Sequence, residues 1–428
     1  MLDYEFRGVA KLFLVNRFFL LAVSLIALSV LPLGAGFKIN TASSINPWTQ
    51  WDGEAYLTIA EKGYVTLADG RSLYNFLPLY PVLIRAAGLL INNFGLAAFL
   101  ISNAFALIAS YFLFLLTKHE FGEAAAKKTI VLLLFFPTAF FFSAVYTESM
   151  FLALAVASFY YARKGDWAKA SVLTWFLPFI RIVGLFMWIV LVAEYLSQNH
   201  IVGNKPTAKA VSLSTIGSKR HWYFTRKTLG VFLCSRSEAS ACITRLKSCV
   251  FNVFEDNKIK LTRLTMRELA LSSTIIGVVL FFVYSYFTTG TLFGYANQQN
   301  LWSRTVSSPH VALMNAMELI LFRGPVLAAY SLWNLSVLAF FISTLYYAFV
   351  HMRKSYGVYM FLMMILPLLS STLEGFSRFI LICFPSFMIA AKVLKEKSHF
   401  YTVLVVSAFL LIVLTARFVT GSVETLFG

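Results

Sequence analysis

Residues Leu96-Ala-Ala-Phe-Leu-Ile-Ser-Asn-Ala-Phe-Ala-Leu-Ile-Ala-Ser-Tyr-Phe-Leu-Phe-Leu-Leu-Thr117 run without a single charged side chain. About 20 mostly apolar residues suffice for a helix to cross the hydrocarbon core of a bilayer, so this stretch predicts a membrane span. Runs of comparable character recur on both sides of it, from Arg17 to Val419. The 428 residues are 59% hydrophobic and only 13% charged, against roughly 25% charged in an ordinary soluble domain. Forty-three Phe and 20 Tyr exceed what one soluble core needs. The expected fold is an all-α polytopic membrane protein with about 11 transmembrane helices. Its spans are read at 17–36, 96–117, 129–146, 148–163, 170–180, 182–196, 269–289, 326–350, 356–373, 377–394 and 399–418. Phe76 to Ile91 is apolar too, but Pro78, Pro81 and Arg85 interrupt it, so it reads as a membrane-edge or re-entrant segment. The first apolar run follows Arg7, Lys11 and Arg17 without a clear small-x-small cleavage site, and is read as an uncleaved span.

Net charge is +17. The basic residues sit in short loops between apolar runs, where they orient a membrane protein. No DNA- or RNA-binding motif accompanies them, so the expected partners are membrane lipids and no nucleic acid. With the spans above, 27 of the 36 Lys and Arg fall on the cytoplasmic side and 9 elsewhere. A rival topology makes 76–91 a true span and 170–196 a single one, and splits the same residues 21 to 15. The positive-inside bias favours the first. Three regions follow: an N-terminal transmembrane module, 1–196, with a first outer loop at 37–95; a basic cytoplasmic insert, 197–268; and C-terminal helices, 269–428, with an outer loop at 290–325. The insert carries 13 basic and four acidic residues and reads as a solvated loop beside anionic head groups.

The first outer loop contains Asn46-Pro-Trp-Thr-Gln-Trp-Asp-Gly-Glu-Ala-Tyr-Leu-Thr-Ile-Ala-Glu-Lys-Gly-Tyr64. Tyr56, Ile59, Ala60 and Gly63 recur at helical spacing, which predicts a short interfacial helix over 53–62. Asp52 is then either a helix cap or a reactive carboxylate. Trp48, Trp51, Tyr56 and Tyr64 surround it in sequence; aromatic faces pack on sugar C–H surfaces, and a carboxylate beside them can take a proton from a sugar hydroxyl. Other polar groups fall on the same side: Glu148 in a tight turn between spans, Arg181 between two half-length spans, Gln298, Gln299, Trp302 and Arg304 in loop 290–325, and Glu374 with Arg378. Ionisable groups at membrane depth are costly and mark function. Taken singly, Glu374–Arg378 also reads as a surface i,i+4 pair and Arg181 as a snorkelling side chain.

There is no GxxxxGK[ST] and no strand-linked GxGxxG, so no nucleotide-phosphate cradle is indicated. HExxH and GxSxG are missing as well. Cys234, Cys242, Cys249 and Cys383 lack metal or redox spacing. Asp52 and Glu54 form a D-x-E pair of the kind that can hold Mg²⁺ or Mn²⁺. No metal or other cofactor is assigned.

Trp51-Asp-Gly-Glu-Ala-Tyr56 with Ile59-Ala60 and Gly63-Tyr64 resembles the first-loop signature of the PIG-V mannosyltransferase family, particularly its prokaryotic relatives. Asn75-Phe-Leu-Pro-Leu-Tyr-Pro81, Phe136-Pro137 through Tyr146-Thr-Glu-Ser149, Arg181 with Gly184, Gln298 with Trp302 and Arg304, and Ser377-Arg378 through Phe384-Pro385 resemble its later elements. The resemblance implies a GT-C membrane fold with an extracytoplasmic active site. It implies a polyprenyl- or dolichyl-phosphate sugar donor, typically of mannose, and a glycolipid or lipid-linked acceptor. Asp52 would be the catalytic base and Glu148 would position hydroxyls, with Arg304 and Arg378, then Arg181, on the leaving phosphate. Trp51, Glu54, Tyr56, Tyr64, Gln298 and Trp302 complete the substrate-binding set. The compact first loop favours a plasma membrane; a eukaryotic member would sit in the endoplasmic reticulum. A transporter or glycolipid flippase accounts equally well for the hydrophobicity, but the inverted repeats common in transporters are not found.

Overall fold

The computed structural model describes residues 2–34, 37, 46–66, 72–199, 266–295 and 307–422. Except for 266–268, these residues all fall in one unit, 1–203 with 269–428. It is built of helices: α1 Leu2–Val30, α2 Asp52–Lys62, α3 Leu79–Ile91, α4 Phe94–Phe121, α5 Glu123–Leu134, α6 Glu148–Arg163, α7 Trp167–Phe176 and α8 Met187–Gln198. After the insert come α9 Met266–Ser273, α10 Ile275–Thr289, α11 Pro309–Phe322, α12 Pro325–His351, α13 Lys354–Leu368, α14 Phe376–Phe379, α15 Phe384–Val393 and α16 Lys397–Val419. Among the described residues, five stretches are long and apolar enough to cross a membrane: Tyr4–Val30, α4, Met266–Thr289, α12 and α16. A sixth is Phe376–Ile382 with Phe384–Val393, bent by 81°. The chain is an integral membrane protein.

The other expected spans are shorter or broken, and proline explains two of them. The span expected at 129–146 stops as a helix at Leu134 and continues through turns and the 3₁₀ segment Ala139–Phe142, because Pro137 cannot donate to the helix ladder and disfavours helical backbone at Phe136. The straight span expected at 377–394 breaks at Cys383, two residues before Pro385. The first span is also shifted. It runs over Tyr4–Val30 rather than 17–36, so Arg17 lies mid-helix, where its guanidinium covers the Phe13 ring at 4.6 Å and donates to Ser143 Oγ. Loop 290–325 contains an apolar helix, α11, that the charges of Glu318 and Arg323 disguised. The 76–91 segment is the 13-residue helix α3, too short to span alone.

α4 and α6 pack against each other, and both bury small side chains, Ala98, Ser102, Ala106 and Ala109 on one and Ala153, Ala155 and Ala157 on the other. Small residues let membrane helices approach closely. Phe18, Leu25, Phe287, Val405 and Phe409 are exposed, as side chains solvated by lipid tails are. Ion pairs tie the basic loops to one another: Lys118–Glu5 at 2.5 Å, Arg163–Glu120 at 2.6 Å, and Arg163 and Arg353 to the fully buried Glu194 at 3.3 and 3.4 Å. Lys118 paired with the N-terminal arm requires both on one face, as in the 27-to-9 topology. The rival would separate them across the bilayer.

Candidate active site

Trp51 takes φ 53°, a left-handed backbone that is unusual for a bulky side chain and costs about 1–3 kcal/mol. That turn starts α2 at Asp52 itself. Trp51 occupies the cap position and makes no capping side-chain bond. The cap reading of Asp52 therefore fails: Arg378 Nη1 donates to Asp52 Oδ2 at 2.7 Å. Gly53 lies against Val145 and would place a Cβ 3.4 Å from it, while Val145 N donates to Trp48 O and Tyr146 Oη to Gln50 O. The first loop is thereby fastened to the turn that precedes α6.

Glu148 opens α6 and is buried. Asp52 and Glu148 both stand at helix N-termini, where the macrodipole favours negative charge. Arg181 Nη1 donates to Glu148 Oε1 at 2.7 Å and to Thr147 Oγ1 at 3.3 Å, and Arg378 Nε lies 3.4 Å from the same carboxylate oxygen. Glu148 Oε2 is buried without a hydrogen-bond partner. Arg181 sits in extended backbone between the 3₁₀ turns Leu177–Phe179 and Ile182–Phe186. The break needs Gly184, where a Cβ would fall 2.3 Å from the Leu177 carbonyl carbon. Arg378 is held just after Gly375, which takes φ 70°.

Four charges expected from sequence thus meet, two acids and two arginines, from parts of the chain up to 326 residues apart. Asp52 keeps 23% of its side chain exposed; Glu148 keeps 1%. The aromatic wall holds residues that sequence did not single out. Phe379 lies 5.1 Å from each of the two guanidinium carbons, and Phe141 and Tyr146 also face Arg378. No spacing rule announces Phe379 or Phe141, because they are set by cation–π contact across the fold. Trp51 packs on Phe418 from α16 at 4.9 Å.

The remaining predicted residues distribute differently. Tyr56 is buried against Phe76 and Tyr80; burial, then the Asp52 carboxylate, pushes its phenol well above the ordinary range. Tyr64 turns away to stack on Tyr74 and to donate to Phe76 O at 2.7 Å, accepting from Tyr284. Glu54 lies half-buried in the first turn of α2. Gln298, Gln299, Trp302 and Arg304 lie outside the described residues, as does the insert over 200–265.

Among curated proteins, none matches the sequence. A crystal structure of the Archaeoglobus fulgidus oligosaccharyltransferase, in complex with Zn and sulfate, is similar at 14% identity and a TM-score of 0.42, over 96% of this chain and 53% of that one. The chain spans about half the length of that protein. Residues 14–202 match the family model described as Mannosyltransferase (PIG-V). The matched segment supplies Trp51, Asp52, Tyr56, Glu148 and Arg181, and over that segment the chain is similar to the PIG-V mannosyltransferases.

Proposed function

We propose that the protein transfers a hexose, in the first place mannose, from a polyprenyl- or dolichyl-phosphate carrier to a lipid-linked or glycolipid acceptor at the extracytoplasmic face, in a GT-C type of fold. The observation that carries this reading is the partly exposed Asp52 carboxylate, gripped by an arginine that also reaches a buried glutamate with one unpartnered oxygen. Asp52 is the general base. The acceptor oxygen attacks C1 of the sugar, its proton passes to Asp52, and the bond from C1 to the phosphate oxygen breaks with its electron pair leaving on the phosphate. One displacement inverts the configuration at C1. Glu148 Oε2 accepts from a sugar hydroxyl. Arg378 and Arg181 take the phosphate, using the planar, charged donors that suit its oxygens, and no metal is invoked in this role.

The test is transfer by purified full-length protein from synthetic polyprenyl-phosphate-mannose to a glycolipid, without any nucleotide sugar. Mannosylated product with inverted configuration is expected. Arg378→Ala should lower donor use by about 30-fold or more, since truncating one partner of a desolvated charge pair costs roughly 2–5 kcal/mol, and Arg378→Lys should restore only part of it. Direct use of GDP-mannose would sink the lipid-donor reading, and translocation without bond cleavage would replace the enzyme with a flippase.

A further inference from the structure

Beside the charged cluster lies a cavity of about 420 Å³, between α11, α12 and the loop before α14. That volume is within the usual range for small-ligand pockets, roughly 300–1,000 Å³. Its inner wall is polar: Tyr330, Ser331 and Asn334, all on α12, are buried. Asn334 stands nine residues into α12, about 13 Å from the helix start. Its Oδ1 is buried with no hydrogen-bond partner, at 1% residue exposure. Burying such a group unpaired costs free energy, which a ligand hydroxyl would recover. Asn315 and Thr372 line the middle of the cavity, and exposed Glu318, Arg323 and Glu374 line its rim.

The loop that forms one wall is also the loop that supplies the reaction. Thr372, Leu373 and Glu374 face the cavity, Gly375 N donates to Tyr330 Oη at 3.1 Å, and three residues on Arg378 reaches Asp52. Charge distinguishes the cavity from the cluster. The cluster balances two arginines against two carboxylates; the cavity holds two carboxylates against one arginine, and that arginine is 3.2 Å from Glu318. A phosphate is disfavoured by such a lining, whereas a neutral polyol finds amide, hydroxyl and carboxylate partners throughout.

We propose that this cavity is the acceptor subsite, binding the uncharged saccharide portion of the acceptor through Asn334, Asn315 and Thr372 while its nucleophilic hydroxyl points past the Gly375 turn to Asp52. This rests on the transfer reaction proposed above. The separation by charge assigns donor phosphate to the arginines and acceptor hydroxyls to the asparagines.

The experiment uses full-length protein in lipid nanodiscs, with octyl α-mannoside as acceptor probe and polyprenyl-phosphate-mannose as donor. Asn334→Ala and the near-isosteric Thr372→Val should each raise the KM for octyl α-mannoside about ten-fold, the effect of losing a buried hydrogen bond, and leave the donor KM within about two-fold. A diazirine derivative of octyl mannoside, irradiated on the unmutated protein, should label the peptides holding Asn315–Asn334 and Thr372–Glu374, and excess octyl mannoside should suppress that label. Label at these peptides without mannosyl transfer upholds the saccharide subsite and rejects the reaction. Transfer with label elsewhere, or with equal rises in both KM values, overturns the subsite and spares the reaction.

Discussion

Asp52 is the residue on which the chemistry turns, and its surroundings separate capping from catalysis. Its carboxylate is committed to Arg378 rather than to the amides of α2. In Asp52→Asn the amide keeps the shape and a hydrogen bond to Arg378 but cannot accept the proton. Transfer should fall by at least about 10²–10⁴, with the thermal unfolding midpoint of the solubilised protein lowered only slightly, because Glu148 still faces the guanidinium at 3.4 Å. Retained activity would remove Asp52 from the mechanism. At this scale the sequence was informative about charges and weak about apolar partners. An acid or arginine among apolar runs is conspicuous because it is expensive there; Phe379 and Phe141 are two of 43 phenylalanines, and nothing local distinguishes them. Tyr64 shows the opposite error. It belongs to the same signature as Asp52, yet it lies twelve residues onward, beyond the end of α2, against Tyr74 and Tyr284.

At the level of elements, the site depends on helices that fail at chosen points. Arg181 faces Glu148 only because the segment between α7 and α8 unwinds, and the unwound segment closes only over a residue without a Cβ. Gly184→Ala would drive a methyl to 2.3 Å from the Leu177 carbonyl carbon. Folding yield and thermal stability should drop sharply, by about 3 kcal/mol or more as overpacking cases go, and activity with them. Gly8→Ala, in α1 with nothing within 4 Å of the new methyl, should be neutral or stabilising by up to about 1 kcal/mol. Equal tolerance at the two positions, measured by thermal unfolding in the same detergent, would mean that the Arg181 turn relaxes freely. The two half-length spans flanking Arg181 follow in sequence from the charge bias, which favours them over a single span across 170–196. The breaks at Pro137 and Cys383 were legible only in part, since hydrophobicity alone continues through them and hides where the backbone turns. α11 was missed for a related reason: a charged residue near its end made an apolar helix look like loop.

The whole molecule separates its charges into two sets. Asp52, Glu148, Arg181 and Arg378 gather at one; Glu5, Lys118, Glu120, Arg163, Glu194 and Arg353 gather at the other. The charge bias of the loops predicts that the second set faces the cytoplasm, because orientation is set by Lys and Arg rather than by fine structure. Cysteine scanning measures it. In a background with Cys234, Cys242 and Cys249 changed to Ser, Glu61→Cys and Ser308→Cys should react with an impermeant maleimide from outside intact cells, and Lys397→Cys only after permeabilisation. Ser308 and Lys397 labelled from the same side would dissolve the partition.

The 2.7 Å pair between Arg378 and Asp52 has a consequence for timing. A lipid phosphodiester carries one negative charge, and the monoester it leaves behind ionises a second time near pH 6. During transfer Asp52 gains a proton and goes neutral as the departing phosphate acquires its extra charge, so the total within the site is unchanged. Only the guanidinium's better partner changes, from carboxylate to leaving group. The pair is thus a two-position relay, thrown by the proton transfer itself, that strengthens the grip on the departing group as its charge grows. Asp52→Asn fixes the relay in its second position. That variant, inactive in transfer, should bind polyprenyl phosphate about 3- to 30-fold more tightly than the native protein, the order of one charge-assisted hydrogen bond. Equilibrium binding to nanodisc-held protein reads this directly, and equal or weaker binding would mean that Arg378 never trades one partner for the other.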